Sequence, residues 1–244
     1  MAKIIVQPDI NSLVEFAAYR IANMIHATLQ FNEHFCLALA GGSTPRPLYE
    51  RLAQAPYATQ IDWAKVHIFW GDERCVPPDH VDSNYRMAQD AWLSRVAIPD
   101  ENIHRLHGES EPTQAATEYE QQLRDFFAHA NELFDLTLLG MGDDGHTASL
   151  FPGTAAIHEK EQWVVAHHVE KLAAWRLTLT PAALNRSANI MFLSAGAGKA
   201  DTLKQVLEGE YQPDIYPSQI IAPASGETVW VIDKLAGALL TPTE

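Results

Sequence analysis

The run Leu138-Leu139-Gly140-Met141-Gly142-Asp143-Asp144-Gly145-His146-Thr147-Ala148-Ser149-Leu150-Phe151-Pro152-Gly153 sets a histidine inside a glycine-rich turn that directly follows an apolar stretch. In an open α/β sheet ligands bind beyond the carboxyl ends of strands, and glycine lets backbone approach a ligand closely. Asp144 lies two residues before His146 and is positioned to orient or polarise its imidazole. A surface turn with an incidental histidine is the bland alternative. The agreement of strand, glycines and aspartate favours chemistry here.

Three other strand ends carry residues of the same kind. Gly41-Gly42-Ser43-Thr44-Pro45 follows the apolar run Phe35–Ala40 and opens an amphipathic helix. Ser43 or Thr44 can cap that helix and Pro45 suits its first turn, so the free N–H groups there favour an anion. The turn lacks both the dinucleotide glycine pattern and a P-loop lysine, and an ordinary βα turn explains it equally well. Gly71-Asp72-Glu73-Arg74-Cys75 ends the run Val66–Trp70 with charges of mixed sign, and Arg74 is expected to contact a ligand. Lys199, in Gly196-Ala197-Gly198-Lys199, stands at a helix start where the dipole disfavours a cation, so a bound anion would account for it. Arg176 lies in the alternating strand Trp175–Leu179. Cys75 has no base paired with it by any sequence feature and reads as a packing residue.

Bulk properties narrow the partners. The net charge of −14, with only 17 Lys and Arg, argues against nucleic acid or a membrane surface while leaving a small anion possible. Two cysteines cannot build a disulfide framework, the start MAKIIVQPD does not read as a secretory signal, and no apolar stretch is long enough to cross a bilayer. A cytoplasmic protein is expected. His167 and His168 are adjacent on a predicted strand and must point to opposite faces, His104 and His107 lack further ligands at metal spacing, and no metal site is expected.

The elements that must position these residues alternate between strand and helix. Strands are predicted at Lys3–Gln7, Phe35–Ala40, Val66–Trp70, Phe134–Leu139, Trp163–His167, Trp175–Leu179, Ile190–Ser194 and Val229–Ile232. Helices are predicted at Leu13–Leu29, Pro45–Gln54, Asn84–Val96, Thr113–Asn131 and Lys199–Glu208. Strands apolar on both faces require a mostly parallel sheet covered by helices. The expectation is one three-layer α/β/α domain of Rossmann-like character over residues 1–244.

The motifs GGSTP, GDERCVP and GMGDDGHTASLFPG, in this order and near these spacings, resemble the 6-phosphogluconolactonases, and the likeness spans nearly the whole chain. That family is similar in fold to glucosamine-6-phosphate deaminase, whose members carry a glutamate in a segment ending Asn-Glu-Pro beyond the histidine. This chain has Leu150-Phe151-Pro152 there and departs towards the lactonase pattern. The resemblance implies hydrolysis of 6-phospho-D-glucono-1,5-lactone to 6-phosphogluconate in the oxidative pentose phosphate pathway, with water as the only co-reactant and no cofactor. It implies His146 as general base with Asp144 tuning it, Arg74 on the sugar or the developing oxyanion, and Asp72 as a weaker candidate for positioning hydroxyls. Phosphate falls to the turn Gly42, Ser43 and Thr44 with Arg176 and Lys199, the last two by analogy with the deaminases. Arg74 on phosphate and Lys199 at the lactone end remain an open alternative. A monomer acting on a small sugar-phosphate lactone is expected. The rival readings are a sugar-phosphate deaminase or isomerase and a non-catalytic sugar-phosphate sensor; a start so near the first strand leaves no room for an N-terminal DNA-binding domain.

Overall fold

A computed structural model describes residues 2–241 of the chain. Six strands, β1 (Lys3–Gln7), β2 (Phe35–Leu39), β3 (Val66–Trp70), β5 (Leu136–Gly140), β8 (Asn189–Ser194) and β9 (Glu227–Asp233), form a sheet in the order β1-β9-β8-β5-β2-β3. Every pairing in it is parallel. β2 is buried at all five positions, as a strand covered on both faces must be, whereas the edge strand β1 has no fully buried residue. Helices α1 (Ile10–Thr28), α2 (Pro45–Leu52), α3 (Tyr57–Gln60), α4 (Asn84–Ala91), α5 (Pro112–Phe126), α6 (Pro181–Leu184) and α7 (Ala200–Glu208) connect the strands. α1 packs on β1, β9 and α2, and α2 in turn packs on α4. Asp9 caps α1 by accepting from the Ser12 N–H at 2.8 Å.

From β2 the chain steps outward to β3, then returns across β2 to β5 on the other side. The reversal opens a crevice between the carboxyl ends of β2 and β5, the switch point where sheets of this type bind ligands. The turns after β2, β3, β5 and β8 all leave from that edge. Two buried tyrosines fix two of the exits. Tyr49 of α2 donates to the Ala40 carbonyl at 2.7 Å and accepts from its N–H at 3.1 Å. Tyr119 of α5 accepts from the Trp70 N–H at 3.0 Å and donates to its carbonyl at 3.3 Å. Each hydroxyl satisfies backbone groups exactly where a strand stops pairing, which a buried chain end requires.

A second sheet departs from expectation. β4 (Asp72–Arg74), β6 (Val164–Val169) and β7 (Ala174–Leu179) form an antiparallel sheet in the order β4-β7-β6. Parallel neighbours need a crossover of about a dozen residues or more, and the few residues between the two predicted strands allow only a hairpin. Several helix ends also move: α1 begins at Ile10 and α2 stops at Leu52. α4 stops at Ala91 and continues as a 3₁₀ turn over Leu93–Arg95, α5 stops at Phe126, and Lys199 belongs to the 3₁₀ turn before α7.

Under β3 the imidazoles of His67 and His104 hydrogen-bond at 3.0 Å, and His104 stacks on Phe69 with ring centroids 4.4 Å apart. Burial and the adjacent His67 push His104 from 6.5 down to about 4, and burial also lowers His67. Between those two values the unfolded chain binds more protons than the folded one, so stability is complete above pH 6.5 and declines as pH falls towards 4. Urea midpoints measured from pH 7 to pH 4.5 are expected to drop, and the drop should be shallower in His104→Leu.

Candidate active site

The crevice at the switch point holds two adjoining hollows that share Asp72, Arg74, His146 and Ala148. The inner one, about 230 Å³, is walled by the turn Gly41-Gly42-Ser43-Thr44, Gly140, Gly142 and Lys199. The outer one, about 590 Å³, is walled by Asp144, Ser149, Phe151, Lys171, Leu172 and Arg176. All nine residues singled out from sequence therefore meet at one edge, with Lys199 and Arg176 in different halves.

His146 stands where the halves join. Its loop closes on itself through the bonds Gly142 N–H to the His146 carbonyl, 2.8 Å, and Gly145 N–H to the Gly142 carbonyl, 3.1 Å. The Gly145 carbonyl is pinned in turn by the Ser218 hydroxyl at 2.8 Å. Asp144 Oδ1 accepts from His146 Nδ1 at 2.5 Å and from the His146 N–H at 3.2 Å. Burial disfavours the Asp144 anion, yet bonds from His146 and Lys171 outweigh it and hold the carboxyl well below the usual carboxylate range. An ionised carboxylate only accepts, so the proton sits on Nδ1 and the lone pair is left on Nε2. The ring of Phe151 lies 4.3 Å from that of His146.

Gly142 is required by this geometry. A Cβ there would lie 2.0 Å from His146 Nδ1 and 2.8 Å from Asp144 Oδ1. Gly142→Ala must displace the imidazole, and turnover is expected to fall about 10²-fold, the cost of misplacing a reacting group by roughly 1 Å. Steady-state kinetics beside a thermal melt would check this, the melt separating a displaced ring from an unfolded chain.

Arg74 and Arg176 are cross-strand partners in the second sheet. Arg74 donates to the Asp82 carbonyl at 2.6 Å, and its Nε is buried with no partner among the described residues. Neither arginine has a carboxylate in ion-pair range among the described residues. Burial, and then the charge of Arg74, push the Arg176 guanidinium down from its ordinary value. Two adjacent cations without an ion-pair partner among the described residues make a place for an anion. Lys199 differs, since it pairs with the exposed Asp143 at 2.5 Å.

Several contacts were not visible in sequence. Asp72 is buried with both oxygens occupied, Oδ2 accepting from Ser149 at 2.6 Å and Oδ1 from Asn84 at 3.2 Å. Glu73 is a structural anchor, accepting the backbone N–H groups of Asn84 at 2.7 Å and Tyr85 at 2.8 Å at the start of α4. Burial is what pushes its carboxyl up. Lys171, at the tip of the β6–β7 hairpin, bonds Asp144 Oδ2. Such cross-chain pairings leave no local signal, although the acidic GDER cluster pointed to the loop. The side-chain cap expected from Ser43 or Thr44 is absent: Thr44 occupies the cap position with helical backbone angles and makes no capping bond. Burial pushes the Cys75 thiol up to about 11, in keeping with a packing role.

The family model described as glucosamine-6-phosphate isomerases/6-phosphogluconolactonase matches residues 8–230. The chain belongs to this family. It is 42% identical to a protein named 6-phosphogluconolactonase from Nostoc sp., over 97% of each chain. It superposes on the crystal structure of 6-phosphogluconolactonase from Thermotoga maritima with a TM-score of 0.83 at 31% identity, covering 96% of this chain and 100% of that one. A monomeric glucosamine-6-phosphate deaminase shares the fold with a TM-score of 0.83 at 20% identity, covering 97% and 99%. In this chain the apolar ring of Phe151 lies against His146. Among the described residues no helix is long and apolar enough to cross a membrane.

Proposed function

We propose that this chain hydrolyses 6-phospho-D-glucono-1,5-lactone to 6-phosphogluconate, the lactone step of the oxidative pentose phosphate pathway, with His146 activating the attacking water. The observation that carries the reading is the Asp144–His146 pair with Phe151 against the imidazole, which supplies a base and no second acid. Nε2 takes a proton from water as its oxygen attacks the lactone carbonyl carbon. The carbonyl oxygen becomes an oxyanion that the Arg74 guanidinium stabilises. Collapse re-forms the carbonyl and expels the ring oxygen, which takes the proton back from the imidazolium, leaving the open-chain acid and a regenerated base. The turn Gly42-Ser43-Thr44 with Lys199 holds the phosphate in the inner hollow, anchoring the sugar at a distance from the reacting carbon. Arg176, in the outer hollow, adds positive potential beside Arg74.

The test follows 6-phosphogluconate formation from freshly prepared lactone, with spontaneous hydrolysis subtracted. Acceleration that scales with protein concentration supports the reading. Background rates with this lactone, together with ammonia release from glucosamine 6-phosphate, would replace it with the deaminase, and tight sugar-phosphate binding without turnover would leave a sensor.

A further inference from the structure

Lys171 reaches the site from the β6–β7 hairpin, which otherwise contributes only Arg176 to the proposed machinery. It sits in the turn between β6 and β7, a reversal completed by Ala173 at a φ of 47°. From there its ammonium bonds Asp144 Oδ2 and lies 5.1 Å above the ring of Phe151. Phe151 contacts His146, whose Nδ1 bonds Asp144 Oδ1. The four side chains thus close a ring of contacts: carboxylate, imidazole, phenyl, ammonium. Asp144 is gripped at both oxygens, one by the imidazole and one by the hairpin.

We propose that Lys171 is a positioning residue for the hydrolysis, fixing the carboxylate of Asp144 so that His146 presents Nε2 to water in one orientation. A carboxylate bound at one oxygen only can swing about its χ2 bond; held at both, it cannot turn without breaking a charged hydrogen bond. The ammonium also sets a positive charge beside the Asp144–His146 pair. The other charged groups lining the two hollows are Asp72, Arg74, Arg176 and the Asp143–Lys199 pair. Of these the pair is internally neutralised. Lys171 is the cation that touches the Asp144 carboxylate.

This inference rests on the hydrolase reading, so its test combines an activity arm with one that needs no substrate. Lys171→Met keeps the length of the side chain and removes the charge; Lys171→Arg keeps the charge. For Lys171→Met, kcat is expected to fall about tenfold with little change in KM, the effect of loosening a group that acts through another. The acid limb of kcat/KM should move to higher pH, because that positive charge is gone while Asp144 remains. Lys171→Arg should recover most of kcat and the original limb. In the substrate-free arm, the downfield proton resonance of the Asp144–His146 hydrogen bond should be sharp in the unmodified protein and broadened or lost in Lys171→Met, with unchanged circular dichroism. A raised KM with kcat and the acid limb unchanged would make Lys171 a substrate contact and overturn the proposal, as would an unaltered proton resonance. If the unmodified protein proves inactive on the lactone, the hydrolase reading fails while the resonance still reports on Lys171.

Discussion

Replacing His146 by alanine is expected to lower kcat by about 10²–10⁴-fold, the contribution typical of a positioned general base, with KM for the lactone little changed. The reasoning runs through hydrogen-bond capacity. Asp144 is held ionised and occupies Nδ1, so Nε2 is the free lone pair on the ring. Because Asp144 stays charged into strong acid, loss of activity on the acid side should follow protonation of the imidazole and vanish as a feature of the profile in His146→Ala. The substitution leaves the loop's backbone closure intact, since those bonds involve the His146 carbonyl and the glycines. A melting temperature near that of the unmodified protein would accompany the loss. Retention of near-normal turnover, after subtraction of the spontaneous reaction, would remove His146 from the mechanism.

The second large effect is expected at Arg74. Its side chain is half-buried, its Nε has no partner among the described residues, and Arg176 faces it across the β4–β7 ladder. For Arg74→Ala a fall in kcat/KM of about 10²-fold is expected, roughly 2.7 kcal/mol, comparable to removing one donor from an oxyanion site. How the fall divides decides the residue's role. Loss in kcat places the guanidinium on the developing oxyanion, whereas loss in KM places it on the phosphate. Removing one of two facing cations should also relieve their mutual repulsion, so the variant should melt no lower than the unmodified protein despite the lost bond to Asp82. Unchanged kinetics would make Arg74 a structural residue of its loop.

Much of this site was legible before any coordinates, for a definite reason. Each candidate but Arg176 followed the end of an apolar strand or opened the helix beyond it, and in a parallel sheet all such ends share one edge. Gly42, His146 and Lys199 therefore converge without any long-range information beyond the strand pattern. What local pattern missed was pairing across distance. The second sheet is the clearest case: β6 and β7 were recognised as strands but placed with the rest, although the spacing between them permits only a hairpin. β4 is three residues long, too short for alternation to announce it. That sheet sets Arg74 opposite Arg176, ties Asp72 to Ser149 and carries Lys171 to Asp144. Thr44 errs in the opposite direction, a residue type suited to capping whose backbone took helical angles and left the cap unmade.

The sequence by itself determined most of the periodic elements and the candidate side chains at the strand ends, because strand burial, glycine turns and side-chain chemistry are properties of short segments. It determined also that an apolar Leu150-Phe151 follows the histidine turn. Only the tertiary structure decided which charges face one another. Lys199 is paired with Asp143 while Arg74 and Arg176 confront each other with no carboxylate in ion-pair range among the described residues, and Asp144 is gripped from a hairpin 27 residues away in the chain. Those relations follow from strand order and register, which depend on how every element packs at once.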